Sequence, residues 1–175
     1  IRDDGVAEWK LETWTSGDAF VDELRRRPKD YKRERQEDQK CWLEIWVEAA
    51  GMCGQVFQVA APYGIPVYSS SGFNSTTMKY EAAQRIFKEA VRRNRPTLVL
   101  HIGDHDPSGV AIFENLSEDV PELVHGIALE NGNDPETDFR TLSLWERIAV
   151  TEEQIGRYEL DEAPPKASDS RTRTW

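Results

Sequence analysis

Short apolar bursts separated by amphipathic stretches set the rhythm of the chain. Residues 41–47, CWLEIWV, are a dense apolar and aromatic run that stops at Glu48, which predicts a buried strand. From Ala49 to Tyr63 the apolar points Met52, Val56, Val59 and Ala60 recur at three-to-four spacing, predicting a helix closed by Gly64 and followed by Pro66. IPVYS, residues 65–69, predicts a short strand. The polar loop SSGFNS, residues 70–75, leads into an amphipathic helix from about Thr76 to Asn94, with Met78, Ala82, Ile86, Phe87 and Val91 on one side. TLVLHIG, residues 97–103, is the strongest strand signal, and a helical stretch from Val110 to Leu116 follows it. VHGIAL, residues 124–129, predicts a further strand. Asn131 to Thr141 is polar and turn-rich. RIAV, residues 147–150, predicts a last strand before a helix N-capped by Thr151, with Glu152 and Glu153 in its first turn. Strand and helix in alternation is the order of an α/β fold, a mostly parallel sheet covered by helices.

The flanks read differently. Gly17 to Lys40 is dense in charge, with Phe20, Val21, Leu24 and Tyr31 as sparse apolar points and Pro28 as a break, which predicts two short exposed helices. After Leu160 the stretch DEAPPKASDSRTRTW is Pro-rich and polar and is expected to be irregular. The chain is therefore divided into a charged helical lead-in, 1–40, a single α/β domain, 41–160, and a tail, 161–175. The opening IRDDG reads as the continuation of something upstream, so residues 1–40 are expected to be the end of a linker from a preceding domain.

Charge restricts the functions open to such a domain. Thirty-two acidic against twenty-two basic residues give a net charge of −10, the wrong sign for coating nucleic acid by bulk attraction. Any DNA binding must be local, metal-assisted or supplied by a partner. Basic residues crowd into Arg25–Arg35 and into Arg92, Arg93 and Arg95, runs that fit solvated helix faces as readily as DNA-facing patches. Two cysteines, Cys41 and Cys53, are too few for a disulfide framework and lack zinc-ligand spacing, which points to a reducing compartment. With no apolar run of spanning length and no leader, the expected location is cytoplasmic, away from membranes.

The candidate chemistry lies at strand ends. In an open parallel sheet, ligands bind in the crevice beyond the carboxyl ends of the strands. Glu48 closes the first strong strand, while Asp104 and Asp106 follow the third, so the fold is expected to bring the three carboxylates together. Their mutual repulsion calls for a hard cation, Mg²⁺ with Mn²⁺ as a substitute. In extended chain, residues two apart point the same way, so Asp104 and Asp106 can face one ion while His105 points elsewhere. Gly103 and Gly109 flank the turn and would let backbone approach a phosphate. A metal there can orient a phosphodiester or activate a water. Plain structural readings stand beside these: an acidic residue after a strand is commonly a helix N-cap, and His105 suits a supporting role. Ser70, Ser71, Gly72 and Ser75 suit a turn and cap, or a helix N-terminus where a phosphate docks. Trp42 and Trp46 are read as core.

These residues together resemble a known family. A strand ending in Glu48, then a strand ending in Asp104-x-Asp106 with Pro107 and Gly109 following, is similar to the Toprim domain, a Rossmann-like α/β fold. That domain occurs in type II topoisomerases, bacterial primases and OLD-family nucleases. GDHDPSG is closest in style to topoisomerase VI A subunits and the related meiotic double-strand-break proteins. The later RIAVTEEQIGRYEL, with Lys166 and Asp169, resembles the end of that subunit's Toprim domain, so the likeness runs from about Cys41 to Asp169. It implies a Mg²⁺-dependent domain that assists DNA cleavage or strand transfer, with Glu48 as general acid/base and ligand and with Asp104 and Asp106 as ligands. It further implies a nucleophilic tyrosine on an upstream winged-helix domain, and a homodimer. Gly72, Ser75, Gly109 and Lys166 are candidates for phosphate or DNA contact. Ala49 departs from the pattern, since related sequences often carry a basic residue there. Two other readings compete: a non-catalytic Toprim-like module binding DNA or a partner, and a haloacid-dehalogenase-type phosphatase. The phosphatase would need its Asp-x-Asp on the first strand.

Overall fold

The computed structural model describes residues 14–70 and 75–161. They divide into two compact units between Glu34 and Arg35.

The first unit contains α1, Gly17–Arg26, which starts where the Ser16 hydroxyl accepts a hydrogen bond from the Ala19 N–H at 3.1 Å. Trp14 packs edge-on against Phe20, with ring centroids 4.8 Å apart. The second helix expected before Lys40 is reduced to a single 3₁₀ turn, Arg27–Asp30. Pro28 fits the start of a turn but offers no N–H to extend one, and residues 32–35, KRER, bring no apolar stripe to bury.

The second unit is built on four parallel strands: β1 Trp42–Val47, β2 Val67–Ser69, β3 Thr97–Ile102 and β4 Ser143–Ala149, in the spatial order β2-β1-β3-β4. The connecting helices are α2 Cys53–Ala60, α3 Thr76–Arg93 and α4 Pro107–Glu130, with α5 Glu152–Tyr158 after the last strand. This is an α/β fold with an all-parallel sheet flanked by helices. Burial alternates along β3, with Thr97, Val99 and His101 buried on one face and Leu98, Leu100 and Ile102 half-buried on the other. The buried face carries the core: Trp46 and Val99 meet Ala82, Ala83 and Ile86 of α3 and Leu116, Val120, Val124 and Ile127 of α4. α2 packs beside β2.

Several junctions follow local rules. Gly64 (φ 70°) and Asn94 (φ 52°) end the segments after β1 and β2 in the left-handed conformation. Thr151 forms a capping box with Gln154. The unit's first residues are tied in by Gln36, fully buried, whose amide oxygen accepts from the Leu43 N–H at 2.6 Å and whose Nε2 donates to the carbonyls of Leu43 and Gly64.

One expected strand is absent. Residues 124–129 are the last turns of α4, which runs without interruption from Pro107 to Glu130 and takes Pro121 in its stride. Leu116, Val120, Val124, Ile127 and Ala128 recur every three to four residues and are buried on one side. That packing outweighs the strand preference of Val and Ile and the hydrogen bond that proline removes. The helix stops where the Asn131 and Asn133 side-chain amides donate to the carbonyls of Ile127 and Ala128, both at 2.8 Å.

A carboxylate is buried within the sheet. Glu44, 1% exposed, accepts from Trp46 Nε1 at 3.0 Å and from Arg85 Nη2 of α3 at 3.1 Å, and the Arg85 guanidinium lies 4.0 Å from the Tyr68 ring centroid. Removing one partner of such a pair costs about 3–5 kcal/mol, so this contact fixes how α3 seats on β1. Among the described residues, no helix is long and apolar enough to cross a membrane.

Candidate metal site at the carboxyl edge of the sheet

The strand register sets the row of residues that faces the crevice. Val47 lies beside Ser69 on one side and Ile102 on the other, and Ile102 beside Ala149. One step further, Ser70, Glu48, Gly103 and Val150 form the edge, held by Ser70 N to Val47 O, Glu48 N to Ile102 O and Val150 N to Gly103 O at 2.7–2.9 Å. The chain leaves β1 toward β2 on one side and returns to β3 on the other, so the switch point falls between β1 and β3. That is where ligands enter sheets of this kind. Glu48 and Asp104 stand on its two sides.

The half-buried carboxylate of Glu48 turns toward β3. Its Oε2 accepts a hydrogen bond from the Asp104 N–H at 3.1 Å. Two glycines make room for it. A Cβ on Gly103 would lie 2.6 Å from this oxygen and 2.7 Å from His101 Cε1, and one on Gly109 would lie 2.8 Å from it and 2.2 Å from the Asp104 carbonyl oxygen. Gly103 and Gly109 thus form a cradle for a carboxylate and a carbonyl, a nearer cause than room for an incoming phosphate. Burial, first of all, pushes the Glu48 carboxyl above its ordinary pKa; the negative charges of Asp104 and Asp106 add to this, while the Asp104 N–H and the Arg147 cation oppose it.

The two aspartates divide their work. Asp106, in extended backbone, is the N-cap of α4, and its Oδ1 accepts the Gly109 N–H at 2.7 Å. Pro107 fills the first helical position. Asp104 is exposed. Among the described residues, no three His, Cys, Asp or Glu side chains are gathered as ligands of one ion. The expected meeting of three carboxylates is therefore looser than a ready cage: Glu48 is seated on the Asp104 backbone, and Asp106 has one oxygen committed to the helix. Mg²⁺ keeps several waters and is commonly bound through only one or two carboxylates. The hard oxygens of Glu48 and Asp104, beside the glycine cradle, fit an ion held in that way.

Ser75, at the N-cap of α3, is exposed and makes no side-chain bond to its helix. Gly72 and Lys166 lie outside the described residues.

Two contributors went unnoticed in the sequence. Arg147, on β4, sends its donors into the turn: Nε to Val150 O at 3.2 Å, Nη1 to Gly109 O at 3.1 Å, and Nη2 to Gly103 O at 3.1 Å and Asp104 O at 2.5 Å. Burial lowers its pKa, and Glu48, Asp104 and Asp106 pull the other way. His101 is fully buried beneath the edge, with Nε2 3.5 Å from Ser70 Oγ and its ring 5.3 Å from that of Phe113. Its Nδ1 has no hydrogen-bond partner among the described residues. Burial, helped by the Arg147 charge, lowers the His101 pKa to about 4, so the ring is neutral at physiological pH. The available signal was a polar residue inside an apolar strand, TLVLHIG for one and ERIAV for the other.

No family model matches the chain, and neither do the curated proteins or the solved structures with which it was compared.

Proposed function

We propose that this chain is a Mg²⁺-dependent Toprim-type domain that takes part in DNA phosphodiester cleavage or strand transfer, in a topoisomerase VI-like or nuclease setting. The observation that carries the reading is the seating of the Glu48 carboxylate on the Asp104 backbone at the β1/β3 switch point. There a general acid/base with a raised pKa stands beside two further carboxylates. In this role Glu48 exchanges a proton with the attacking or leaving oxygen, Asp104 offers oxygen to the ion, and Asp106 fixes the start of α4 so that the turn keeps its shape. Bound at the edge, Mg²⁺ supplies Lewis-acid stabilisation of the phosphodiester oxygens. The nucleophile is water, or a tyrosine from outside this chain.

The engagement of Asp106 as a helix cap and the looseness of the trio favour a second reading, a Toprim-like module that binds DNA or a partner subunit without cutting. Supercoiled plasmid separates the two. Cleavage predicts nicking that requires Mg²⁺ or Mn²⁺ and disappears in Glu48→Gln. Absence of nicking at every metal concentration, with a melting temperature that metal still raises in wild type but not in Asp104→Ala, leaves only the binding module.

A further inference from the structure

Arg147 stands close enough to Glu48, Asp104 and Asp106 for their charges to act on it, yet its hydrogen bonds run to carbonyl oxygens. The four acceptors come from three places: Gly103 and Asp104 at the end of β3, Gly109 in the first turn of α4, and Val150 after β4. A planar guanidinium with donors in a fixed fork can serve several acceptors at once, whereas an ammonium offers one compact point of charge. The strand end, the Asp104–Gly109 turn and the helix start are thereby tied to a single side chain. The same turn carries the N–H that holds Glu48 and the cap that holds Asp106.

We propose that Arg147 is the positioning residue of this site: its guanidinium fork sets the Asp104–Gly109 turn so that Glu48 and Asp104 face one divalent cation, and it does so before the cation arrives. The inference rests on the metal-site reading above and assigns the preorganisation of that site to one side chain. By binding carbonyls, Arg147 brings positive charge under the acidic edge without occupying a carboxylate oxygen that the ion needs. Side chains that orient ligands from behind change metal affinity by about 10–100-fold when altered.

Mn²⁺ titrated into the purified chain and followed by the electron paramagnetic resonance signal of the free ion tests this. Wild type, Arg147→Lys and Arg147→Gln are compared at a temperature where melting curves in chelator show each to be folded. Lysine keeps the charge and loses the fork, so the expected result is Mn²⁺ affinity at least about tenfold weaker in Arg147→Lys, with Arg147→Gln no better. Equal affinity in wild type and Arg147→Lys overturns the proposal, even where the variant melts lower, because that pattern marks a purely structural bond. Wild type that binds no Mn²⁺ sinks the metal reading and the proposal together. Wild-type hydrogen exchange supplies a check that needs no variant. The Asp104 and Gly109 amides should be protected in chelator and little changed by Mn²⁺; protection that arises only on adding Mn²⁺ refutes a turn set in advance.

Discussion

Gly109→Ala is the sharpest test of the packing that builds the site. A methyl there would stand 2.2 Å from the Asp104 carbonyl oxygen, 2.8 Å from Glu48 Oε2 and 3.1 Å from the Asp104 carbonyl carbon, whereas ordinary contact begins near 3.4 Å. The first and third of these neighbours are backbone, so relief requires the turn to move by about 1 Å rather than a side chain to rotate. Overpacking of this kind costs about 1–3 kcal/mol. The same movement draws the Asp104 and Gly109 carbonyls away from Arg147, and a hydrogen bond to a charged donor is worth about 1.5–3 kcal/mol. Alanine returns at most about 1 kcal/mol through its helix preference. The net expectation is a loss of about 2–4 kcal/mol, or a melting temperature lower by roughly 4–16 °C, measured by urea and thermal denaturation in chelator. Gly126→Ala in the same helix is the control: a Cβ there meets nothing within 4 Å, so the change should be neutral or stabilising by up to about 1 kcal/mol. If Gly109→Ala behaves like Gly126→Ala, the close approach of the α4 start to the turn is wrong, and the cradle argument falls with it.

Two further expectations concern protons. A carboxyl whose pKa is higher in the folded than in the unfolded state destabilises the fold once ionised; the penalty is absent below the ordinary Glu range and grows as pH rises through the folded pKa. In chelator, Glu48→Gln should therefore gain stability over wild type as pH is raised from about 4 to about 7, and parallel pH profiles for the two proteins would refute the raised pKa. For His101 the sign is opposite: with the folded pKa lowered to about 4, its contribution is full above the unfolded value and is lost as pH falls through the folded one. That contribution is about 3 kcal/mol. The NMR signal of the His101 ring should stay flat from pH 7 to about 5, and a midpoint near the ordinary histidine value would contradict its burial.

How far the sequence disclosed this arrangement depends on whether a signal was local. CWLEIWV and TLVLHIG announced their strands because apolar runs of that length with abrupt polar ends have few other uses, and both stops fell at the residues that now face the crevice. The Thr151 cap was legible for the same reason, since a capping box is written within four residues. VHGIAL was misread because strand and helix compete for a short Val- and Ile-bearing run, and the stripe through Leu116, Val120 and Val124 that decides the matter begins before Pro121. Arg147, Glu44 and Gln36 were illegible for a deeper reason. Each is a polar residue whose partners lie in other elements, Arg85 of α3 for Glu44 and Gly64 for Gln36. No periodicity within a segment encodes such a pair. The glycines show a milder form of the same limit: the sequence marked Gly103 and Gly109 as sites of close approach, but only the fold names Glu48 and Asp104 as what approaches.

The charge at this edge constrains the order of events in any reaction on DNA. Four basic side chains around the core are held by acids: Arg85 by Glu44, Arg93 by Glu89, Lys79 by Asp119 and Arg140 by Glu122 and Asp138. Arg147 is spent on carbonyls. Glu48 and Asp104 stand on the two sides of the switch point and Asp106 caps the adjoining helix, in a chain with a net charge of −10, so a phosphodiester brought there alone would meet like charge. On the proposed metal-site reading, a divalent cation would reverse that sign locally and would have to enter before the phosphate or together with it. In this reading the looseness of the trio is useful rather than defective. A carboxylate seated on a backbone N–H, a second one exposed and a turn held from behind are residues that would hold an ion through few protein oxygens, and such an ion would supply Lewis-acid chemistry to a phosphate beside it.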